Sequence, residues 1–325
     1  MTITEEVKQQ GLKWIWPVTR YVTTFTPKEQ RERHNDLKNS SNPLERLWAL
    51  YHEGMINYFD PVQDLDWDHF DVSGWSQEEK EAGRKWWSWR TWIEYSILPA
   101  VAYENNRIAL SGCGMERTLY PSVICFETTR HREVSYMLTG RLGGYIEAPS
   151  GPEEVFAAVI QKGLSDQFYS PDAPLAPATA GLHCLMAGLT ASQHKLALDR
   201  HVKNPLLQAA LKVMAIDKAR QAEYGWLTLE IDLAQNPSKA EKQAVVDSIV
   251  GELKAKSLRG VHSTTGLPAS ARTSIDAWKT IGARAGVGCL TPEEEAESIR
   301  DYLGEMRQRL AKLGIELPKV PEAEN

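Results

Sequence analysis

The chain has 325 residues, 42% of them hydrophobic and 25% charged, with a formal net charge of −6. That is the balance of a globular protein long enough to bury one large core or two ordinary ones. A net negative chain without a basic stripe or aromatic–basic interleaving excludes nucleic acid as a natural partner. There is no run of roughly eighteen apolar residues and no basic-then-apolar leader, and Cys113, Cys125, Cys184 and Cys289 form no C-x-x-C pair. The expectation is a cytoplasmic protein with reduced thiols, no zinc site and no membrane span.

Residues 1–80 read as an aromatic-rich N-terminal arm. Residues 13–21 mix Trp14, Trp16 and Pro17, and 27–38 are strongly charged. Asn42 can cap a helix over 43–59, where Leu44, Leu47, Trp48, Tyr51 and Met55 fall at helical spacing. The loop 60–75 is rich in Asp and Trp. Its Asp64, Asp66, Asp68 and His69 lack the glycine and terminal glutamate of a calcium loop, so it reads as a solvated acidic turn. Nine of the eleven tryptophans precede residue 93. Aromatic anchors concentrate at interfaces, so the arm either embraces another subunit or packs on its own bundle.

Residues 81–233 supply four long helices. The first, over 81–110, turns Trp86, Trp89, Trp92, Ile93, Ile97 and Val101 inward. Pro99 interrupts its ladder, and Glu94 is the acid placed to reach the interior. After the turn 111–114 the second helix runs to 138, and a glycine-rich stretch over 140–151 closes it. A short helix over 155–164 and a proline-rich loop over 165–177 follow. The third helix, 178–202, is rich in histidine, with His183, His194 and His201. Asn204-Pro205 caps and starts the fourth, which reaches 233. The C-terminal region 234–325 reads as accessory helices, one starting at Asn236-Pro237, another over 273–284. In the last, Thr291-Pro292-Glu293-Glu294 is a capping box, Ile299, Leu303, Met306, Leu310 and Leu313 form one stripe, and Gly314 ends it. No alternation sustains a sheet, so the class is all-α.

Two segments ninety residues apart share one pattern: Glu127-Thr128-Thr129-Arg130-His131 and Asp217-Lys218-Ala219-Arg220-Gln221. Positions i and i+3 share a helix face, so each presents an acid beside an arginine within an apolar stretch. Charge so placed must be paired or bind metal. The pattern resembles the Asp/Glu-Glu-x-Arg-His motif of ferritin-like diiron oxygenases over roughly residues 85–232. In that family the second residue and the His ligate iron, while the leading acid and the Arg form an outer frame.

The resemblance implies a ferritin-like four-helix bundle in which Glu127/Arg130 and Asp217/Arg220 are structural ion pairs. Thr128, Lys218 and Gln221 stand at three of the four ligand positions of the paired motifs, leaving His131. The chain is in this respect similar to the non-catalytic β subunit of a soluble multicomponent diiron monooxygenase hydroxylase. That implies a catalytic α-subunit partner in an α2β2-type assembly, with a γ subunit, effector protein and reductase as further partners. It also implies a diiron centre in the α subunit, no cofactor in this chain, and O2-dependent hydroxylation or epoxidation of a hydrocarbon by the complex. The alternative is a ferritin-like metal oxygenase with its own unusual diiron centre, for which Glu94, Glu127, His131, His183, Asp217 and Glu223 are the candidate donors. No dinucleotide fingerprint, phosphate-binding loop, nucleophile elbow or H-E-x-x-H motif offers a competing chemistry.

Overall fold

The computed structural model describes residues 27–56, 59–111, 114–147, 174–234 and 236–324. The aromatic segment 13–21 and the helix and loop expected over 155–173 lie outside the described residues. Among the described residues all regular structure is helical. Two short helices, α1 (Pro27–Lys38) and α2 (Pro43–Ile56), precede the bundle, and Asn42 caps α2 through Leu44 N at 3.0 Å.

The bundle is two antiparallel hairpins. In the first, α3 (Gln77–Leu110) turns into α4 (Met115–Arg141). The start of α3 is set by a capping box in which Ser76 accepts from Glu79 N and Glu79 accepts from Ser76 N. Pro99 and Pro121 lie inside α3 and α4, and each deletes one backbone donor from its ladder. The second hairpin pairs α5 with α6 (Pro205–Asp232). Helix α5 spans 175–200, with a wide-turned π segment, Ala180–Ala187, between two α-helical stretches. Asn204 caps α6, its Oδ1 accepting from Leu206 N and Leu207 N.

Behind the second hairpin come α7 (Lys239–Ala255), α8 (Ala269–Ala285), α9 (Pro292–Lys312) and the short α10 (Pro321–Glu324). Helix α7 starts at Ser238, whose capping box with Glu241 supersedes the expected Asn-Pro start, while Asn236 takes a positive φ of 52°. These helices are not appended. Leu185, Leu189, Trp226 and Leu229 of the bundle share one apolar core with Val245, Ile249, Leu253, Ile299, Leu303, Met306 and Leu310. Each such side chain contributes about 1.5–3 kcal/mol on burial.

The tryptophans around the arm face inward. Trp67, Trp86, Trp87 and Trp89 are buried against this chain's own helices, Trp67 Nε1 donates to Pro61 O at 2.7 Å, and the Trp89 ring lies 6.0 Å from that of Trp278. Trp67, Trp86 and Trp87 pack in one apolar cluster of this chain and Trp89 in another.

Helix α6 meets the π segment closely at Gly225. A Cβ there would lie 2.6 Å from His183 Cβ and 2.9 Å from Cys184 N. Gly225→Ala must therefore move backbone, and is expected to cost about 1–3 kcal/mol. Chemical denaturation checks it; an unchanged midpoint would show that the two helices do not rely on this approach.

Candidate metal centre in the bundle core

The paired motifs meet at mid-bundle, where α4 and α6 bring Glu127, His131, Asp217, Arg220 and Gln221 together, all 5% exposed or less. Their contacts cross between helices. Asp217 Oδ2 lies 2.9 Å from His131 Nε2, and Glu127 Oε2 accepts from Gln221 Nε2 at 3.0 Å. The leading acid of each motif thus holds the fifth residue of the other. Arg220 donates to Glu127 Oε1 at 2.8 Å and also contacts Asp217, while Arg130 lies 3.8 Å from Asp217 and donates to Phe59 O at 3.0 Å. Helical spacing predicts pairing within a turn. Cross-helix pairing is added because α4 and α6 put equivalent residues on facing sides.

Glu94, fully buried on α3, closes the cluster. Arg90 donates to its Oε1 at 2.6 Å, and Lys218 Nζ donates to its Oε2 at 2.8 Å. The same Oε2 is 3.9 Å from His131 Nδ1. Burial pushes the Glu94 carboxyl upward, but Lys218, His131 and Arg90 outweigh it and hold its pKa well below the ordinary value. Burial likewise opposes charge on His131, and Asp217 with Glu94 overcomes it, so its pKa is raised. Glu127 is raised by burial first and by Asp217 second, against the pull of Arg220.

The buried polar atoms of this cluster without a hydrogen-bond partner include His131 Nδ1, 3.9 Å from Glu94 Oε2, and Thr128 Oγ1, along with the Nε atoms of Arg90 and Arg220. Three residues apart on α4, His131 and Thr128 share a face. A buried polar atom left unmatched costs about 1–3 kcal/mol, so its position calls for a ligand. The His131 arrangement, with one ring nitrogen fixed on a carboxylate and the other open, is that of a metal-ligating histidine.

The other residues singled out from sequence are placed elsewhere. His183, on the π segment, has Nε2 2.5 Å from Glu104 Oε2, and its ring stands edge-on to Tyr224, so it is satisfied outside the cluster. Glu223 faces outward and pairs with Arg309 at 2.9 Å, which removes it from the donor set. Arg90, Glu104 and His194 are the core residues that sequence reasoning passed over. Glu104 continues the inward series Glu94, Ile97, Val101 at helical spacing, and Arg90 sits one turn before Glu94, so a signal existed for both. His194 is 2% exposed with Nε2 unpartnered; burial, then the charge of Arg90, holds its pKa well below the usual value. A cavity of about 10 Å³, room for roughly one water, borders the cluster. Lys218, Gln221 and Thr190 form its polar end, and Ile97, Val101 and Leu182 its apolar walls.

No protein-family model and no curated protein matches the chain. Its fold is similar to that of solved R2-like ligand-binding oxidases. One is a Y715F mutant with an anaerobically reconstituted Mn/Fe cofactor, at 13% identity and a TM-score of 0.64, covering 81% of this chain and 92% of that one. A second, with an aerobically reconstituted metal cofactor after photoconversion, matches at 12% identity, a TM-score of 0.64 and the same coverage. The oxidase from Sulfolobus acidocaldarius is 17% identical, with a TM-score of 0.53 and coverage of 78% and 94%. The chain therefore has the ferritin-like fold of R2-type oxidases.

These likenesses correct one expectation from sequence, that this chain holds no cofactor and that a diiron centre is confined to a partner α subunit. The first two of those structures hold a reconstituted metal cofactor, Mn/Fe in one of them. The residues present fit such a group in part. Glu94 and His131 supply two donor groups, but Arg90 and Lys218 already take both Glu94 oxygens, and only His131 Nδ1 makes no hydrogen bond. Across from it Lys218 and Gln221 offer no anionic donor, and among the described residues no three His, Cys, Asp or Glu side chains converge on one point.

Proposed function

We propose that this chain is a self-contained ferritin-like oxidoreductase that holds a redox metal in its own bundle core and uses it in dioxygen chemistry on a small organic substrate. The observation that carries the reading is the open His131 Nδ1 facing Glu94 while Nε2 is anchored on Asp217. The R2-like oxidases of the same fold, solved with Mn/Fe cofactors, support it.

Glu94 and His131 would hold the metal, which when bound supplies one-electron exchange with dioxygen. The protein's own residues prepare that place. Asp217 fixes the His131 ring so that Nδ1 points inward, and a metal there takes the place of a proton. Arg90 ties down Glu94 Oε1, and Oε2, 3.9 Å from His131 Nδ1, is held by Lys218, whose ammonium a metal would have to displace from that oxygen. Arg220 and Gln221 occupy both oxygens of Glu127, so this carboxylate is framework. Ile97, Val101 and Leu182 keep bulk water from the adjoining cavity.

Anaerobic loading of the purified chain with Fe(II) or Mn(II), desalting and elemental analysis tests the proposal. The expected result is metal retained by the native chain and lost in His131→Ala, with dioxygen consumption following the retained metal. No retention above the His131→Ala level would end it.

A second reading, a supporting β subunit bound to a larger hydroxylase subunit, rests on Thr128, Lys218 and Gln221 and on aromatic side chains left exposed along the α3–α4 hairpin, Tyr95 at 61%, Phe126 at 49% and Tyr136 at 56%. Co-purification with a neighbouring gene product, and activity only in that complex, would favour it.

A further inference from the structure

The π segment of α5 is gripped from three sides, and two of the grips come from the C-terminal helices. A π winding is rare and mostly confined to a single turn, so eight residues of it, Ala180–Ala187, need support from outside the helix. Side-chain hydroxyls of the accessory helices reach its backbone. Ser248 of α7 donates to Pro177 O at 2.6 Å, just ahead of the segment, and Tyr302 of α9 donates to Cys184 O within it. Glycines make room for these approaches. A Cβ on Gly181 would lie 2.9 Å from Ser248 Oγ, and one on Gly188 only 1.6 Å from the Tyr302 hydroxyl oxygen. On the third side α6 closes in at Gly225. The Gly188 N–H bonds back to His183 O, five residues earlier, and so closes the last wide turn beside the Tyr302 oxygen.

From this geometry we propose that Tyr302 is a positioning residue for the core: its hydroxyl clamps the π turn of α5, and the clamped turn keeps His183 on Glu104 and Met186 in the wall of the enclosed cavity. The chain of contacts is continuous. His183, whose Nε2 meets Glu104, directly precedes the residue whose carbonyl Tyr302 holds. Leu182, His183, Met186 and Ala187 of the π segment line the cavity, which Lys218 of the charged cluster also borders. A π turn carries more residues than an α turn, so rewinding to α would rotate these four side chains relative to the flanking helix. His183 and Met186 would leave the faces they now occupy. Burial raises the Tyr302 phenol pKa, which keeps its oxygen protonated at neutral pH and available as a donor. The inference needs no bound metal, and it gives the C-terminal helices a part in shaping the core as well as covering it.

Tyr302→Phe keeps the ring and its packing and removes only the hydroxyl, so a purely packing role would leave it without effect. Hydrogen exchange resolved by segment, and the ring resonances of isotope-labelled histidine assigned with His183→Gln, are compared among the native chain, Tyr302→Phe and Gly188→Ala. In Tyr302→Phe the amides of 182–189 should exchange about tenfold faster or more while those of α3 and α4 keep their native rates, and the His183 resonances should shift. Gly188→Ala, which leaves no room for the hydroxyl, should do the same. Either a native exchange rate over 182–189 or an unmoved His183 signal in Tyr302→Phe overturns the inference. So does an acceleration shared equally by α3 and α4, the pattern of general loosening. Should Gly188→Ala fail to fold, Tyr302→Phe decides alone.

Discussion

Arg220→Ala is expected to be among the most destabilising single changes in this protein, costing about 3–5 kcal/mol. The guanidinium is the one group bonded to both leading acids, Glu127 and Asp217. Without it two buried carboxylates lose their shared cation, and the desolvation cost is offset only by Gln221 on Glu127 and by His131 and Arg130 on Asp217. A fall of roughly 10 °C in melting temperature should accompany the change. Arg220→Lys should recover only part of the loss, since a lysine supplies charge but not the planar fork that spans two acids. Denaturant unfolding of the three proteins measures this. A deficit below about 1 kcal/mol in Arg220→Ala, the range of an exposed pair, would mean that the frame is not what holds α4 to α6.

The second large effect lies outside the centre. Lys279 of α8 and Glu295 of α9 are fully buried and paired at 2.7 Å, with the ammonium near 6 Å from the Trp86 and Trp89 rings. Glu295 Oε2 has no partner. Burial pushes the Glu295 carboxyl up; Lys279 pulls it down, Asp276 and Glu293 push it up again, and it settles at about 7. A carboxyl whose folded pKa lies above its unfolded value contributes stability that is fully present below the unfolded pKa and is lost as pH rises through the folded one. The native protein should therefore lose stability between about pH 4.5 and pH 7, by on the order of 3 kcal/mol from this group.

Lys279→Met removes the downward pull of the ammonium, so the window extends to higher pH. The variant should lie close to the native protein near pH 5 and about 3–5 kcal/mol below it near pH 8. Lys279→Met combined with Glu295→Leu removes both charges and should recover most of that loss, because a buried pair replaced by apolar residues of similar volume is often neutral or better. Unfolding free energies at the two pH values close the cycle. Equal deficits at both pH values would show that Glu295 does not titrate in this range.

How far these sites were legible in the chain differs by residue. The two motifs could be found because each repeats an acid and an arginine at one helical interval within an apolar run. His131 could be named for the same reason. Glu94 could be placed as inward-facing, but its contact with Lys218, 124 positions along the chain, could not, since no local rule couples α3 to α6. His183, on the histidine-rich third helix, stands among the candidate donors from sequence. The π segment and the inward turn of Glu104 give it a different partner, and Glu223 pairs with Arg309 of α9.

Local chemistry alone determined the helical class, the four long helices, the Asn204 and Thr291 caps and the end at Gly314, where a positive φ of 68° favours a residue without Cβ. Those features depend on neighbours within a turn or two, which the chain order supplies. Tertiary structure decided the rest. It crossed the ion pairs between α4 and α6, joined the C-terminal helices to the bundle through one apolar core, and turned Trp67, Trp86, Trp87 and Trp89 inward. It also left His131 Nδ1 open beside Glu94 with the Lys218 ammonium opposite. The physical reason is that a hydrogen bond or ion pair between distant segments depends on which helix faces meet, and that is set by burying apolar surface over the whole bundle.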